Sequence, residues 1–491
     1  MNEAIYTKLR LAAKLAIVAL CAAITVCSCS SPQNADGKSP IQAETSGENA
    51  DEPKEISIPD NLPEMDYGGY GFRVYIRDTE GRNADFYAEE ENGDLINDAV
   101  YKRNKTIEDR FNVAIEPILY SDEWDSSAER AILAGSDSYD IMAMHGVFSF
   151  SFAQKSLVLD WLSDMPYVNF DMPWWNDDVT KGFAAFGSLY GVTGDMSHLS
   201  LASVMGLLFN KNLFKDMNID YPYAEVIAGS WTLDKFYSIV KSGGADLNGD
   251  GAMTADADRY GLHMPNEWGY PIAVLYHGGD RVISLDDENV PVLSLYNPRT
   301  IDIFERFFDM LNTPGAGCIG NVPNWGNPES IDVFKDGRAL FVAAGMGSII
   351  GYRAMEDEIG ILPYPKYDSS TPKYYTPLEA GVNLFIVPIT SPDTERTSII
   401  VEALSAEGHK TVIPTFYEKA LKTKHARDDE SSSMLDYIKD GVVYDYGYFN
   451  NTLTGDLQCV GVRLVTSKDA NFTSFYEKNE SKIQKNIEKL R

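Results

Sequence analysis

Between Gly71 and Met144 the hydrophobic pattern switches repeatedly between strand-like alternation and helix-like spacing. This constrains the fold more than any other feature of the chain. Gly71–Ile76 alternates as a strand does, Leu95–Phe111 has helical spacing, and Val113–Tyr120 reads as a second strand. A helix over Ser126–Leu133 and an apolar strand over Tyr139–Met144 follow. Strand–helix–strand–helix–strand order predicts a parallel sheet covered by helices, with ligands taken up where the strands end.

The pattern continues downstream. A short strand is expected at Leu207–Phe209, and helices at Thr232–Lys241 and Pro298–Leu311. Asn297 can cap the second helix, Pro298 suits its first turn, and Ile301, Phe304, Phe308 and Leu311 share a face. A helix over Glu329–Asp336 leads to strands at Ala339–Ala344, Ile359–Pro363 and Val382–Pro388. The last hundred or so residues read as mostly helical, ending in an amphipathic stretch, Phe475–Leu490. There is material here for two sheets and two lobes, and a cleft between lobes is a second place for a ligand.

The N-terminus carries Lys8, Arg10 and Lys14 and then an uncharged run, Leu15–Val26. At about 12 residues that run suits export but falls short of the ~20 needed to span a bilayer. Ser28 before Cys29 makes a lipobox-like end. Residues 1–28 are therefore expected to be a signal peptide, with Cys29 as the lipidation site and the cell membrane's outer face as the location. Residues 29–66 are expected as a tether, since the stretch after Cys29 is rich in Ser, Asn, Gly, Pro and acids and nearly free of large apolar groups.

The net charge is −31, with 42 basic against 73 acidic residues. Nucleic acid demands basic surface, so it is excluded as a partner. Charge-driven binding to anionic lipid is excluded by the same argument. Cation binding and solubility are both compatible with that charge. Cys318 and Cys459 stand as either a disulfide or two buried thiols.

Several segments in order resemble bacterial extracellular solute-binding proteins of family 1, the binding lipoproteins of carbohydrate-type ABC importers. They are LLFNKNLFKDMNI (207–219), GSWTLDKFYSIVKS (229–242), ADLNGDGAMTADADRYGL (245–262), FKDGRALFVAAG (334–345), IGILPYPKYD (359–368) and GVNLFIVP (381–388). Asn218 holds a place the family usually gives to Gly, and Asn tolerates the left-handed conformation. The resemblance implies an α/β, two-lobed periplasmic-binding-protein type II fold with lobes joined by hinge strands. Residues 67–194 and 380–432 would form the N-terminal lobe, and 195–379 with 433–491 the C-terminal lobe. It further implies capture of a sugar or oligosaccharide, transmembrane permease subunits as partners, and no catalysis. The rival readings are a surface-tethered carbohydrate-active enzyme and a calcium-dependent adhesion lipoprotein.

Asp246-Leu247-Asn248-Gly249-Asp250-Gly251 opens like an EF-hand calcium loop. Calcium takes several oxygens, and alternate residues of a tight loop can turn theirs inward. Asp246, Asn248, Asp250, the Ala252 carbonyl and Thr254 are the expected donors. Ala257 stands where a bidentate acid belongs, so Asp256 or Asp258 must complete the set. In the resembling family such a loop is structural and lies away from the ligand.

Sugars present apolar CH faces to aromatic rings and hydroxyls to polar groups. Trp174-Trp175, Glu267-Trp268 and Trp325 join rings to polar neighbours and are expected to line the cleft, while Trp231 at a helix start is expected to pack. His145, Asp195, Gly345 and Glu379 lie at strand ends or lobe crossings and are further cleft candidates. Gly345-Met346-Gly347 lacks the acid and spacing of a dinucleotide loop, and six scattered histidines make no zinc pattern.

Overall fold

The computed structural model describes residues 58–79, 81–120, 126–265, 269–319, 331–352, 355–425 and 429–490. The expected signal peptide, Cys29, most of the expected tether, Glu267, Trp268 and Trp325 lie outside the described residues.

The first sheet has four strands. They are β1 (Tyr70–Arg77), β2 (Val113–Tyr120), β3 (Ile141–His145) and the late strand Asn383–Ile386. β1 runs parallel to both β2 and β3, while Asn383–Ile386 pairs antiparallel with β3 and brings Asn383 opposite His145. Alternate residues of β1 serve two cores. Phe72, Val74 and Ile76 join the main one, and Tyr75 joins Tyr120, Met142 and Met144 on the other face. Burial on both faces is what a parallel sheet requires. The crossover helix α1 (Leu95–Phe111) starts at Asp94, whose carboxylate accepts from the amides of Ile96 and Asn97, each at 3.0 Å. It ends at Asn112 in the left-handed conformation. Helix α2 (Ser127–Leu133) makes the second crossover.

Residues 58–66, expected as tether, instead lie against α1. Arg110 ion-pairs with Asp60, and Leu62 packs on the core.

The second sheet has five strands, in the order Ile359–Leu362, β4 (Met205–Asn210), Ala339–Gly345, β5 (Tyr260–Met264), β6 (Gly317–Ile319). Ala339–Gly345, designated β7, is buried along its whole length, as its continuous apolar run requires. β5 is parallel to β6 and to β7, whereas β4 is antiparallel to β7 with Met205 opposite Gly345. Trp231 packs as expected; it is fully buried and its indole N–H donates to the Pro363 carbonyl at 3.1 Å. Asn218 is left-handed, as anticipated.

Helix α3 (Pro298–Asn312) carries the expected cap; the Asn297 side chain accepts from Arg299 and Thr300 amides, and Thr300 returns the bond. Its buried stripe is rotated from the expected face: Ile303, Phe304, Phe307, Phe308 and Met310 are buried, while Ile301 and Leu311 are partly covered. The expected helix over Glu329–Asp336 is not formed within its described part; residues 333–337 make turns before β7. Cys318 and Cys459 are free thiols, so the disulfide alternative fails.

Two segments run between the sheets and lie side by side. Val192 pairs with Phe385 at the first-sheet end, and Val204 with Leu378 at the second-sheet end. Between them the Glu379 amide donates to the Ser203 carbonyl at 2.9 Å. A third connection leaves α4 (Thr394–Lys410) through an eleven-residue π-helix, Thr415–His425. It leads to the helix Asp429–Asp440, which packs on Ile359–Leu362 of the second sheet. That helix spans the expected lobe boundary at residue 432. The C-terminal helix, expected over Phe475–Leu490, is α5 (Phe472–Lys489). Among the described residues no helix is long and apolar enough to cross a membrane.

Candidate functional site

The strand ends and the crossing segments meet at one polar group. β1 ends at Arg77 and β3 at His145, and the loop after β1 carries Arg82. The Arg77 guanidinium donates to the Gly381 carbonyl at 3.0 Å. Arg82 donates to the Ser203 hydroxyl at 3.0 Å and reaches the Glu379 carboxylate at 3.5 Å. Glu379 also accepts from the Gly381 amide at 2.7 Å. Below them lies a buried layer. Asp85 bonds the Ser197 hydroxyl and sits 3.0 Å from His198, Arg103 donates to the Met196 carbonyl at 2.6 Å, and Asn383 donates to the Arg82 carbonyl at 2.9 Å. Burial pushes the Asp85 carboxyl up, but the bonds from His198 and Ser197 outweigh it and hold it below its ordinary value.

His145, expected after a strand end, and Glu379, expected before a crossing strand, are thus placed in one neighbourhood linked by Arg77 and Arg82. His145 caps the helix Gly146–Gln154, its Nδ1 accepting from the Val147 amide at 3.3 Å. Burial drives its pKa well below the ordinary histidine value, and the charges of Arg77 and Arg82 add to that. The imidazole is therefore neutral at pH 7 and offers a hydrogen-bonding edge rather than a charge. Gly146 is required here: a Cβ would lie 2.6 Å from the Ala380 carbonyl and 2.7 Å from the Phe449 ring.

On the second sheet, Met264, Ile319 and Gly345 end the mutually parallel strands β5, β6 and β7 at one edge. Gly345 lies opposite Met205, beside the crossing segments, with a notional Cβ 3.5 Å from the Ala202 carbonyl. Following β5 and β7, Tyr270 and Tyr352 stand close enough to influence each other electrostatically, and Tyr352 donates to Asp332. Asp332 also accepts from the Lys335 amide at 3.0 Å and lies 3.3 Å from His263 Nδ1. Burial raises its pKa, but the His263 and Lys335 contacts prevail and keep it below the usual carboxylate value. Both tyrosines are partly exposed. This pairing of rings with a fixed carboxylate was not singled out from the sequence. Its one sequence signal was position after a strand end.

Trp174 and Trp175 are a correction. Both are core residues, 1 % and 3 % exposed. Their indole N–H groups donate to the two oxygens of Glu402 at 2.9 and 2.8 Å, and Trp175 packs edge-on against Trp161. Their ring faces are spent on packing, which leaves none for a sugar. Glu402 itself is buried on α4, and burial raises its pKa to about 7 despite three N–H donors. Trp175 bridges to Gly194, whose notional Cβ would sit 2.8 Å from the Trp175 ring, so this crossing also needs glycine. Asp195 begins the crossing as expected but is turned to α4, binding His409 Nδ1 at 2.6 Å. Burial raises its pKa and His409 opposes the rise.

In the loop 246–258, Asp246 accepts from the amides of Gly249 and Gly251 at 2.7 and 2.8 Å. Asn248 accepts from the Asp250 amide, and Asp250 from the Ala252 amide. Asp258 closes the loop, accepting from Leu247 and Thr254 amides at 2.9 and 2.7 Å, while Asp256 is exposed. The Thr254 and Leu247 amides hold the Asp258 carboxyl below its usual value despite burial. Among the described residues no three His, Cys, Asp or Glu side chains are gathered to hold a metal ion.

Neither a family model nor a curated protein sequence matches the chain. Solved structures do. The cyclic alpha-maltosyl-1,6-maltose binding protein of Arthrobacter globiformis is similar at a TM-score of 0.58 and 14% identity, covering 86% of this chain and 99% of that one. An ABC substrate-binding protein of Listeria monocytogenes, in complex with cycloalternan, gives 0.53 at 14% identity, covering 85% and 99%. An ABC transporter solute-binding protein of Thermotoga lettingae, bound with alpha-D-tagatose, gives 0.52 at 15% identity, covering 85% and 100%. At such identities the likeness bears on architecture. The two sheets joined by paired crossing segments are the two-lobed α/β fold of the periplasmic solute-binding proteins.

Proposed function

We propose that this chain is the substrate-binding component of an ABC importer, capturing a sugar or oligosaccharide and handing it to membrane permease subunits. The observation that carries the reading is the convergence of His145, Arg82 and Glu379 where the first sheet's strand ends meet both crossing segments. Glycan hydroxyls need a few oriented donors and acceptors, and stacking needs aromatic rings. Glu379, neutral His145 and Asp332 supply the first, and Tyr270 and Tyr352 the second. No step of bond cleavage is asked of these groups. The test is a glycan panel read by thermal shift, with product analysis alongside. Stabilisation without turnover supports capture, and turnover would replace it with the enzyme reading.

The export reading belongs to the same proposal. Acylation of Cys29 would hold a binding protein beside its permease. Cys29→Ser is expected to abolish labelling by a fatty acid and to release the protein or leave an uncleaved precursor. Persistent labelling of the Ser variant would move the site to Cys27 or end the idea.

Calcium in the loop 246–258 is a further part of the proposal. Asp246, Asn248 and Asp250 turn toward their own loop, with Asn248 Nδ2 3.0 Å from Asp250, and Asp258 accepts from the Leu247 amide. A cation bound only by the folded chain raises its stability by mass action. Chelation is therefore expected to lower the melting temperature, and Asp246→Ala combined with Asp250→Ala to remove that dependence. Identical melts in calcium and in chelator would leave the loop as a turn held by its own amides.

A further inference from the structure

Of the side chains from β1, the segment after it and α1 that hold the crossing segments, three grip them on the first sheet's side. Asp85 bonds Ser197, Arg103 bonds the Met196 carbonyl, and Arg77 bonds the Gly381 carbonyl. Arg82 reaches further. One arm of its guanidinium meets Ser203, two residues before β4, and the other meets Glu379, next to the Val204–Leu378 bridge. Its backbone is fixed to the first sheet by Asn383, which donates to the Arg82 carbonyl at 2.9 Å. The side chain is only 16 % exposed, so these bonds are little diluted by water. A planar guanidinium can serve two acceptors on separate strands at once, and an ammonium cannot reproduce that fork.

We propose that Arg82 is a strap across the hinge, anchored on the first lobe and tied to both crossing segments at their second-lobe end, so that it sets how freely the two lobes open. Rotation of the second lobe carries Ser203 and Glu379 away from the first sheet, and the strap resists that motion. Arg82 acts through these two residues and is a positioning residue. Because Glu379 is also a candidate ligand contact, a ligand that takes up its carboxylate loosens one arm of the strap as it binds. The proposal rests on the two-lobed capture reading, but its test needs no ligand, so a glycan panel without hits leaves it standing or falling by itself.

The test uses the unliganded chain and two variants, Arg82→Ala and Arg82→Lys. Amide hydrogen exchange reads the hinge directly, since the Glu379 amide is held by the Ser203 carbonyl. Arg82→Ala is expected to speed exchange at Glu379 by about tenfold or more and to broaden the scattering profile toward open forms. The amides of Val192 and Phe385, bonded at the other end of the segments, are expected to keep their wild-type rates. Arg82→Lys, which keeps the charge, is expected to fall between the two. If Glu379 exchanges at the wild-type rate in both variants, the proposal is overturned. It is equally overturned if Val192 and Phe385 accelerate as much as Glu379, because Arg82 then supports the whole lobe rather than the hinge.

Discussion

Glu402→Gln is expected to gain stability relative to the wild type as the pH rises from about 4.5 to about 7. The Glu402 carboxyl is buried under Trp174 and Trp175, and burial raises its pKa from 4.5 to about 7. In that window the folded chain holds a proton that the unfolded chain has released. The contribution of Glu402 therefore declines with pH through the window, and its whole penalty is present above about pH 7; the buried neutral His145 and His277 push the other way in both proteins, so the difference between wild type and variant isolates Glu402. A shift of this size corresponds to roughly 3 kcal/mol, using ~1.4 kcal/mol per pKa unit. Gln imitates the protonated acid and carries no charge at any pH. Urea midpoints of both proteins at pH 5 and pH 8 measure the effect. Wild type should lose ~2–3 kcal/mol more than the variant across that interval. Parallel curves would show that the three N–H donors already stabilise the buried carboxylate in full.

The same residues show why part of the structure was legible in sequence and part was not. α1 and β2 begin and end where the sequence placed them, because Asp94, Asn112 and the apolar spacing act within a few residues of each other. The cap of α3 is likewise local. Its buried face is not. Which side of an amphipathic helix is covered depends on what packs against it, and here the stripe turned toward Ile303 and Phe307. Trp174 and Trp175 look like a binding platform in sequence since they sit among Asn and Asp residues. Their partner, Glu402, is more than two hundred residues away, and no local pattern announces it.

Candidate site residues divide in the same way. His145 was found by the general rule that ligands meet the carboxyl ends of strands, and Glu379 by its place before a crossing strand; both need only the order of elements. Asp332 was hidden inside a stretch with helical spacing that the chain turns instead of coiling. Arg82 gave no sign, because its role depends on two segments that pairing brings together from residues 203 and 379.

A saturating glycan is expected to contract the scattering profile, and Tyr352→Ala and Glu379→Gln are each expected to weaken that glycan by about 10- to 100-fold. Contraction follows from contact with both lobes. Glu379 stands on a crossing segment beside His145 of the first sheet, whereas Tyr352 and Asp332 belong to the second. A ligand touching both groups binds the closed form better than the open one, and only that difference shifts the population. Tyr352 offers a partly exposed ring, held edge-on by Phe334 at 5.4 Å, and its hydroxyl is fixed by Asp332. Truncation removes a pre-oriented surface without opening the core, at a cost of ~1.5–3 kcal/mol in binding. Trp175→Ala provides the contrast. It should lower stability by ~3–5 kcal/mol, as for a buried aromatic, while the molecules that remain folded keep the affinity of the wild type. Calorimetry on the three variants separates the cases. Should Tyr352→Ala and Glu379→Gln bind as tightly as wild type while Trp175→Ala binds weakly, the ligand sits on the other side of the hinge, near Asp195 and His409. Should a saturating ligand leave the scattering profile unchanged, capture does not proceed by closure of the two lobes.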